Sequence, residues 1–138
     1  MLFDAHTRSF SALGGAPHAR AFLEGWKAHL VVDDYAGYKA LFAAGVIEVG
    51  CMAHARRKFF ELHKANQSTV AGDALQRISE LYEIENRGRE LANTECHALR
   101  EREVLPKLQA MQDWLQRTLD TVADGGGLAR TIDYSLKR

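Results

Sequence analysis

The hydrophobic positions of this chain change their spacing near residue 66. Before that point, short apolar runs alternate with segments of helical spacing. After it, most apolar residues recur every three or four positions, which is typical of helices that bury one face. We therefore predict an α/β region at residues 1–66 and an all-helical region at residues 67–138.

The α/β region contains two predicted strand–helix pairs. Residues 29–33 form a continuous apolar run, as in a buried strand of a parallel sheet, and end in an aspartate. A helical pattern at 35–45 follows, with Gly45 as its stop signal. A second apolar run at 46–50 precedes another helical pattern at 51–65. Because a helix connects them, the two strands are expected to be parallel neighbours.

Two helices of the second region are expected to form an antiparallel hairpin. Apolar residues at helical spacing mark them at 69–92 and 95–123, and Asn93 and Thr94 are the predicted turn and cap between them. Pro106 is expected to kink or restart the second helix. The glycines that follow, at 125–127, lack the lysine of a phosphate loop, so we interpret them as a hinge before another helix.

Upstream of the strands, the predicted elements are a loop and a short helix. Residues 6–17 contain serine, a glycine pair and proline, which favour a loop. Residues 18–26 have the spacing of a helix.

The composition limits the possible functions. Lysine plus arginine and aspartate plus glutamate each total 18, so the formal net charge is zero and only a local basic patch could support nucleic-acid binding. Two cysteines do not make a disulfide framework, and no apolar run approaches the roughly 20 residues of a membrane span. The N-terminal residues also lack the pattern of a signal peptide. We expect a cytoplasmic protein that makes no membrane contact.

Asp33 and Asp34 directly follow the last apolar residues of the first predicted strand. Ligands of open α/β sheets bind beyond the carboxyl ends of the strands, where a carboxylate can hold a hard cation such as Mg²⁺. An aspartate in this place can also cap the next helix and interact favourably with its dipole. The residues alone leave both roles open.

Cys51 and His54 are three residues apart and share one face at the start of a predicted helix. A zinc site with Cys96 and His97 is disfavoured, because that second pair is adjacent and lies in a helical arm. The open alternatives are a packed thiol with a hydrogen-bonded histidine, or a histidine near an active site beside Asp33.

Arg56, Arg57 and Lys58 form the densest basic cluster of the chain. Such a cluster can contact the phosphates of a nucleic acid. It can equally be a solvated helix face that Glu61 partly neutralises. Charge alone does not decide between the two interpretations.

The order of these features resembles the transposases of the insertion sequence 66 family. The resemblance rests on LVVDDYAGYKALF, VIEVGCMAHARRKFFELHKA and ALQRISELYEIE. It implies a partial ribonuclease-H-like core of parallel strand–helix–strand–helix order, followed by a helical insertion. Such cores carry an Asp-Asp-Glu (DDE) triad that holds two Mg²⁺ or Mn²⁺ ions for cleavage and transfer of DNA strands.

In this resemblance, Asp33 matches the second catalytic aspartate and is a metal ligand, and Asp34 is a helix cap or a neighbour of the site. His54 would be catalytic and lie near the scissile phosphate, and Arg56, Arg57 and Lys58 would contact DNA. The implied partners are transposon ends and other transposase chains, at the bacterial nucleoid.

The first aspartate and the final glutamate of the triad are expected to lie outside this chain, as in a segment truncated at both ends. One carboxylate cannot hold two Mg²⁺ ions, so we expect no activity from the chain alone. Without the family's first strand, residues 30–32 are expected to leave an open sheet edge.

Two other functions remain as alternatives. The first is a non-catalytic module that binds DNA or a transposase through its basic helix. The second is a helical interaction protein with no nucleic-acid role, which the neutral net charge favours.

Overall fold

The computed structural model describes residues 8–9, 29–32 and 39–137, so the predicted helix at 18–26 lies outside the described part. Contacts divide the chain into one unit of Met1–His54 with Arg138, and a second unit of Ala55–Lys137. The division into domains at residue 66 stays a prediction.

The first unit contains a sheet of three short parallel strands. They are β1 (Arg8–Ser9), β2 (His29–Val32) and β3 (Ile47–Gly50), with β2 in the middle. Helix α1 (Lys39–Ala43) connects β2 to β3, and these two strands are parallel as predicted. Leu30 of the middle strand is fully buried.

Gly45 ends α1 in the way that the sequence indicates. Its φ of +101° is in the region that glycine adopts without a Cβ penalty. Its N–H donates to the carbonyl of Phe42 at 3.1 Å and closes the last turn. Val46, the next residue, is buried and leads into β3.

The expectation of an open edge at residues 30–32 is wrong. Arg8 pairs with Leu30, and Ser9 pairs with Val31, in parallel register. The loop predicted at 6–17 is therefore also wrong at these two residues. Strand pairing uses backbone N–H and C=O groups that almost every residue has, so a polar dipeptide can form an edge strand without an apolar signature.

The second unit is helical, and its boundary with the first falls within α2. One side of α2 faces the core: Ala55 and Phe59 are buried, and Met52 and Leu62 are half-buried. The helical elements are α2 (Met52–Asn66), α3 (Thr69–Gly88), α4 (Asn93–Leu99), a π-helical turn (Arg100–Val104), α5 (Leu105–Leu119) and α6 (Gly127–Leu136).

A tight corner joins α2 to α3. Gln67 has a φ of +56°, and its N–H donates to the carbonyl of His63 at 2.9 Å. The next residue, Ser68, is the N-cap of α3, and its hydroxyl accepts from the N–H of Ala71 at 3.2 Å. The corner thus satisfies backbone groups at both helix ends.

The antiparallel hairpin is confirmed by polar contacts across it. Residues 85–87 of α3 contact residues 100–103, whereas the earlier residues 80 and 77 contact the later residues 107 and 114, so the two arms run in opposite directions. Glu85 accepts two hydrogen bonds from the Arg100 guanidinium, at 3.0 and 2.8 Å, and this raises the pKa of Arg100. The contacts, from the loop inward, are Arg87 with Glu103, Glu85 with Arg100, Glu80 with Lys107, and Arg77 over the ring of Trp114.

The cap predicted at Asn93 and Thr94 is displaced by one residue. Helix α4 begins at Asn93, and Ala92 is its N-cap. The Ala92 N–H donates to the Glu95 carboxylate at 3.4 Å. A glutamate three residues into a helix thus supplies half of a capping box even where the N-cap residue is alanine.

Pro106 lies where the α-helix restarts in the second arm of the hairpin, which is one of the two outcomes predicted for it. It is in the first turn of α5, directly after the π-helical turn, whose last bond runs from the Leu105 N–H to the Arg100 carbonyl. A proline ring clashes with the carbonyl four residues earlier and offers no N–H. The wider π-helical turn accommodates both effects.

Replacing Phe59 with alanine is expected to lower the free energy of unfolding by about 3–5 kcal/mol, because this fully buried ring leaves a cavity. Phe60→Ala is the matched control: its ring is 48% exposed, and we expect a loss below about 1 kcal/mol. Urea denaturation followed by circular dichroism measures both. Equal losses would contradict the assignment of Phe59 to the core.

Acid is expected to destabilise the hairpin. Hydrogen bonds from Arg87 and Arg102 lower the pKa of Glu103, and one from Lys107 lowers the pKa of Glu80, from an ordinary 4.5. A lowered folded-state pKa gives stability that is present above pH 4.5 and is lost as pH falls through the lowered values.

Melting temperatures between pH 7 and pH 3, at constant ionic strength, measure this loss. The Glu80→Gln/Glu103→Gln variant should melt lower at pH 7 and lose less on acidification. The control variant Glu83→Gln/Glu90→Gln changes two exposed glutamates that form no ion pair with another described residue, and it should keep the full acid effect. Identical pH profiles for all three proteins would refute the assignment.

Candidate functional site

The carboxyl edge of the sheet is the first candidate site. Val32, the last residue of β2, pairs with Gly50, the last residue of β3. The carboxyl ends of parallel strands meet at one edge of a sheet. The segments that follow these two strands in the chain therefore start side by side.

Asp33 and Asp34 follow Val32 in the chain and lie outside the described residues. The structure nevertheless confirms the predicted buried strand before them and places it in the middle of the sheet. Val32, from which the chain continues to Asp33, pairs with Gly50 of β3, and the two residues before it pair with both neighbouring strands.

Cys51 and His54 follow β3 at the same edge. The His54 N–H donates to the Cys51 carbonyl at 3.1 Å, so Cys51 starts the first turn of α2. Both side chains are half-buried. The structure therefore brings the predicted Cys-x-x-His pair to the sheet edge at which β2 ends.

Among the described residues, no three His, Cys, Asp or Glu side chains are grouped as metal ligands would be. The other Cys-His pair has contacts inside the hairpin instead. The Cys96 sulfur lies 3.3 Å from where a Cβ on Gly88 would be, and His97 Nδ1 lies 3.7 Å from a Glu101 oxygen. These contacts fit packing better than the zinc site considered above.

The three basic residues of α2 have different surroundings. Arg56 is exposed and has no ion-pair partner in the described part of the chain. Arg57 is bound to Glu61 at 3.2 Å, and both side chains are largely exposed, so water screens this pair. The Lys58 ammonium lies 4.7 Å from the ring centroid of Tyr134, a cation–π contact that joins α2 to α6.

Two further residues share the exposed side of α2 with Arg56. Phe60 and Lys64 follow it at intervals of four, and both are exposed. The sequence analysis did not predict them, because it considered the adjacent cations Arg56, Arg57 and Lys58 and not the positions four apart. The repeating interval of four from a basic residue was the signal that could have found them.

One comparison with known proteins identifies a family, and a second finds related proteins. The family model described as Transposase IS66 family matches residues 10–138. The uncharacterized protein y4hP of Sinorhizobium fredii (strain NBRC 101917 / NGR234) is 31% identical in an alignment that covers 88% of this chain and 25% of that protein.

The uncharacterized protein y4qI of the same strain is also 31% identical, over 90% of this chain and 24% of its own length. This chain thus spans about a quarter of the length of the curated relatives that it matches. No solved structure matches it. No helix in the described residues is both long and apolar enough to cross a membrane.

Proposed function

We propose, from the premise that this chain belongs to the IS66 family of transposases, that it forms the middle of a ribonuclease-H-like catalytic core of the DDE type. The intact transposase would cleave and transfer DNA strands at transposon ends, with Mg²⁺ or Mn²⁺ as cofactor. Residues 67–138 would be the helical insertion that precedes the last catalytic residue. Other transposase chains are the further expected partners.

The arrangement of β2 and β3 is the observation that carries this proposal. In the middle of a parallel sheet, β2 ends next to the end of β3. Asp33 follows one strand, and the Cys51–His54 turn follows the other. Phosphoryl transfer needs a carboxylate and a polar side chain at fixed, adjacent positions, and adjacent strand ends supply such positions.

Asp33 is the residue that would hold a metal ion, because carboxylate oxygens are the ligands that Mg²⁺ prefers. Two bound metal ions would stabilise the attacking and leaving oxygens of the phosphoryl group. Asp34 would cap the helix that follows. His54 would lie near the scissile phosphate and donate a hydrogen bond to it.

A single metal-binding carboxylate fits the cofactor only in part. Mg²⁺ needs several ligands in near-octahedral geometry, and two ions need more. We therefore propose that the 138 residues by themselves carry out no phosphoryl transfer and retain DNA binding. Arg56 and Arg57, with Lys58 beside them, would contact the phosphates.

DNA binding tests the second part of this proposal. The Arg56→Gln/Arg57→Gln variant should bind a duplex about tenfold more weakly than the unchanged chain and show a smaller slope of log affinity against log salt, because fewer counterions are released. Fluorescence anisotropy with a labelled duplex at several salt concentrations measures both quantities.

Arg89→Gln/Arg117→Gln is the matched control for charge. Both residues are exposed; Arg89 is the C-cap of α3, and Arg117 is on α5, so neither belongs to the proposed contact helix. It should keep the affinity and the salt slope. An equal loss in both double variants would show general electrostatic attraction, and no loss in either would favour a helical interaction protein without a nucleic-acid role.

Asp33 can be tested against its neighbour. In a chimaera where this segment replaces the matching quarter of an active IS66 family transposase, Asp33→Ala should reduce Mg²⁺-dependent strand cleavage at least about a hundredfold, because a metal ligand is lost. Asp34→Ala should leave cleavage within a few-fold. Cleavage of a labelled transposon end measures both variants.

The isolated chain provides the second half of this test. It should not nick a supercoiled plasmid with either Mg²⁺ or Mn²⁺. Nicking by the isolated chain that Asp33→Ala abolishes would show that the other ligands are present in these residues. Equal effects of the two aspartate substitutions in the chimaera would remove the special role of Asp33.

A further inference from the structure

We propose that the exposed face of α2 formed by Arg56, Phe60 and Lys64 binds unpaired DNA, with the ring of Phe60 stacked on a base. This inference rests on the proposed function, because it assumes that α2 contacts DNA. It adds the form of DNA that this face would select. The name base-stacking face is used below for these three residues.

The exposure of Phe60 is the first step of the argument. Its ring is 48% exposed, and among the described residues it is the only exposed aromatic side chain. The preceding phenylalanine is fully buried, so the core of the unit is complete without Phe60. An aromatic ring that the core does not use has a free face for another flat, apolar group.

The cations beside Phe60 indicate which kind of flat group would bind to its ring. Arg56 and Lys64 are exposed, and neither has an ion-pair partner among residues 39–137. Each is four positions from Phe60, which places it about 6 Å along the helix axis and about 40° around it. The ring therefore has one uncompensated cation on each side along the helix. A nucleotide strand matches this order, because a flat base lies between two phosphates.

Stacking geometry favours unpaired over paired DNA. The bases of a duplex already stack on each other and show only their edges in the grooves. Proteins that bind single strands combine aromatic side chains, on which bases stack, with cations along the backbone. Arg57 is not part of the base-stacking face, and its ion pair with Glu61 partly neutralises the positive potential beside that face.

The test compares two probes on the full 138-residue chain. One is a fluorescein-labelled single strand of about 15 nucleotides without self-complementarity, and the other is the duplex of the same sequence. Phe60→Ala should weaken binding of the single strand about tenfold and that of the duplex by less than about twofold. Phe60→Trp should restore the binding of the single strand.

Leu105→Ala is the control for loss of an exposed apolar side chain. Leu105 is 61% exposed on α5, and its replacement should change neither affinity. Unfolding midpoints of all variants show that the fold is kept. The inference is overturned if Phe60→Ala leaves the affinity for the single strand unchanged or weakens both probes equally.

Two other results separate this inference from the proposed function. If Arg56→Gln/Arg57→Gln weakens duplex binding while Phe60→Ala has no effect on the single strand, only the base-stacking face is disproved. If the unchanged chain binds neither probe, DNA contact by α2 fails as well. A concentration-dependent dimer that Phe60→Ala abolishes in sedimentation would assign this face to a second copy of the chain and overturn the inference.

Discussion

The parallel hydrogen bonding of β2 to β3 is the constraint on which the proposed catalytic chemistry depends. The register pairs Val32 with Gly50, so the chain leaves both strands at the same level. Side chains alternate between the faces of a strand, so a slip by one residue would expose Leu30, which is fully buried. Burial of Leu30 therefore helps to fix the level at which the segments beginning with Asp33 and Cys51 start.

Three glutamates of the hairpin pair with cations of the same hairpin, which bears on the meaning of the neutral net charge. The carboxylates of Glu80, Glu85 and Glu103 bind cations across the hairpin. On α2, by contrast, Glu61 forms an ion pair with Arg57, and both side chains are exposed. A net charge of zero for the whole chain is thus compatible with a helix face whose cations have no ion-pair partner in the described part of the chain. The neutral charge that seemed to favour a protein without a nucleic-acid role loses weight for this reason.

The sequence predicted those elements whose signals are local and repeated, and missed those that depend on partners. The run before Asp33, the stop at Gly45 and the hairpin helices have periodic or glycine signals, and they are confirmed. The strand at Arg8–Ser9 has no apolar run, because its pairing depends on the edge of β2. Of the candidate site, the order of residues along the chain was predictable. The exposed face of α2 had only the interval of four as its signal, because the exposure of a face also depends on which side of the helix the rest of the unit covers.

The basic cluster illustrates how helix geometry separates neighbours in sequence. Successive residues of a helix are about 100° apart, so Arg56, Arg57 and Lys58 cannot act as one flat patch. Lys58 turns to the ring of Tyr134, and Arg57 meets Glu61. Arg56 has no ion-pair partner in the described part of the chain. The residues on its face of the helix are Phe60 and Lys64, four and eight positions later. A charge run in a helix therefore predicts an interface only after each member has been assigned to a face. Here that assignment adds a second feature to the proposed phosphate contacts, a face on which two cations have an aromatic ring between them.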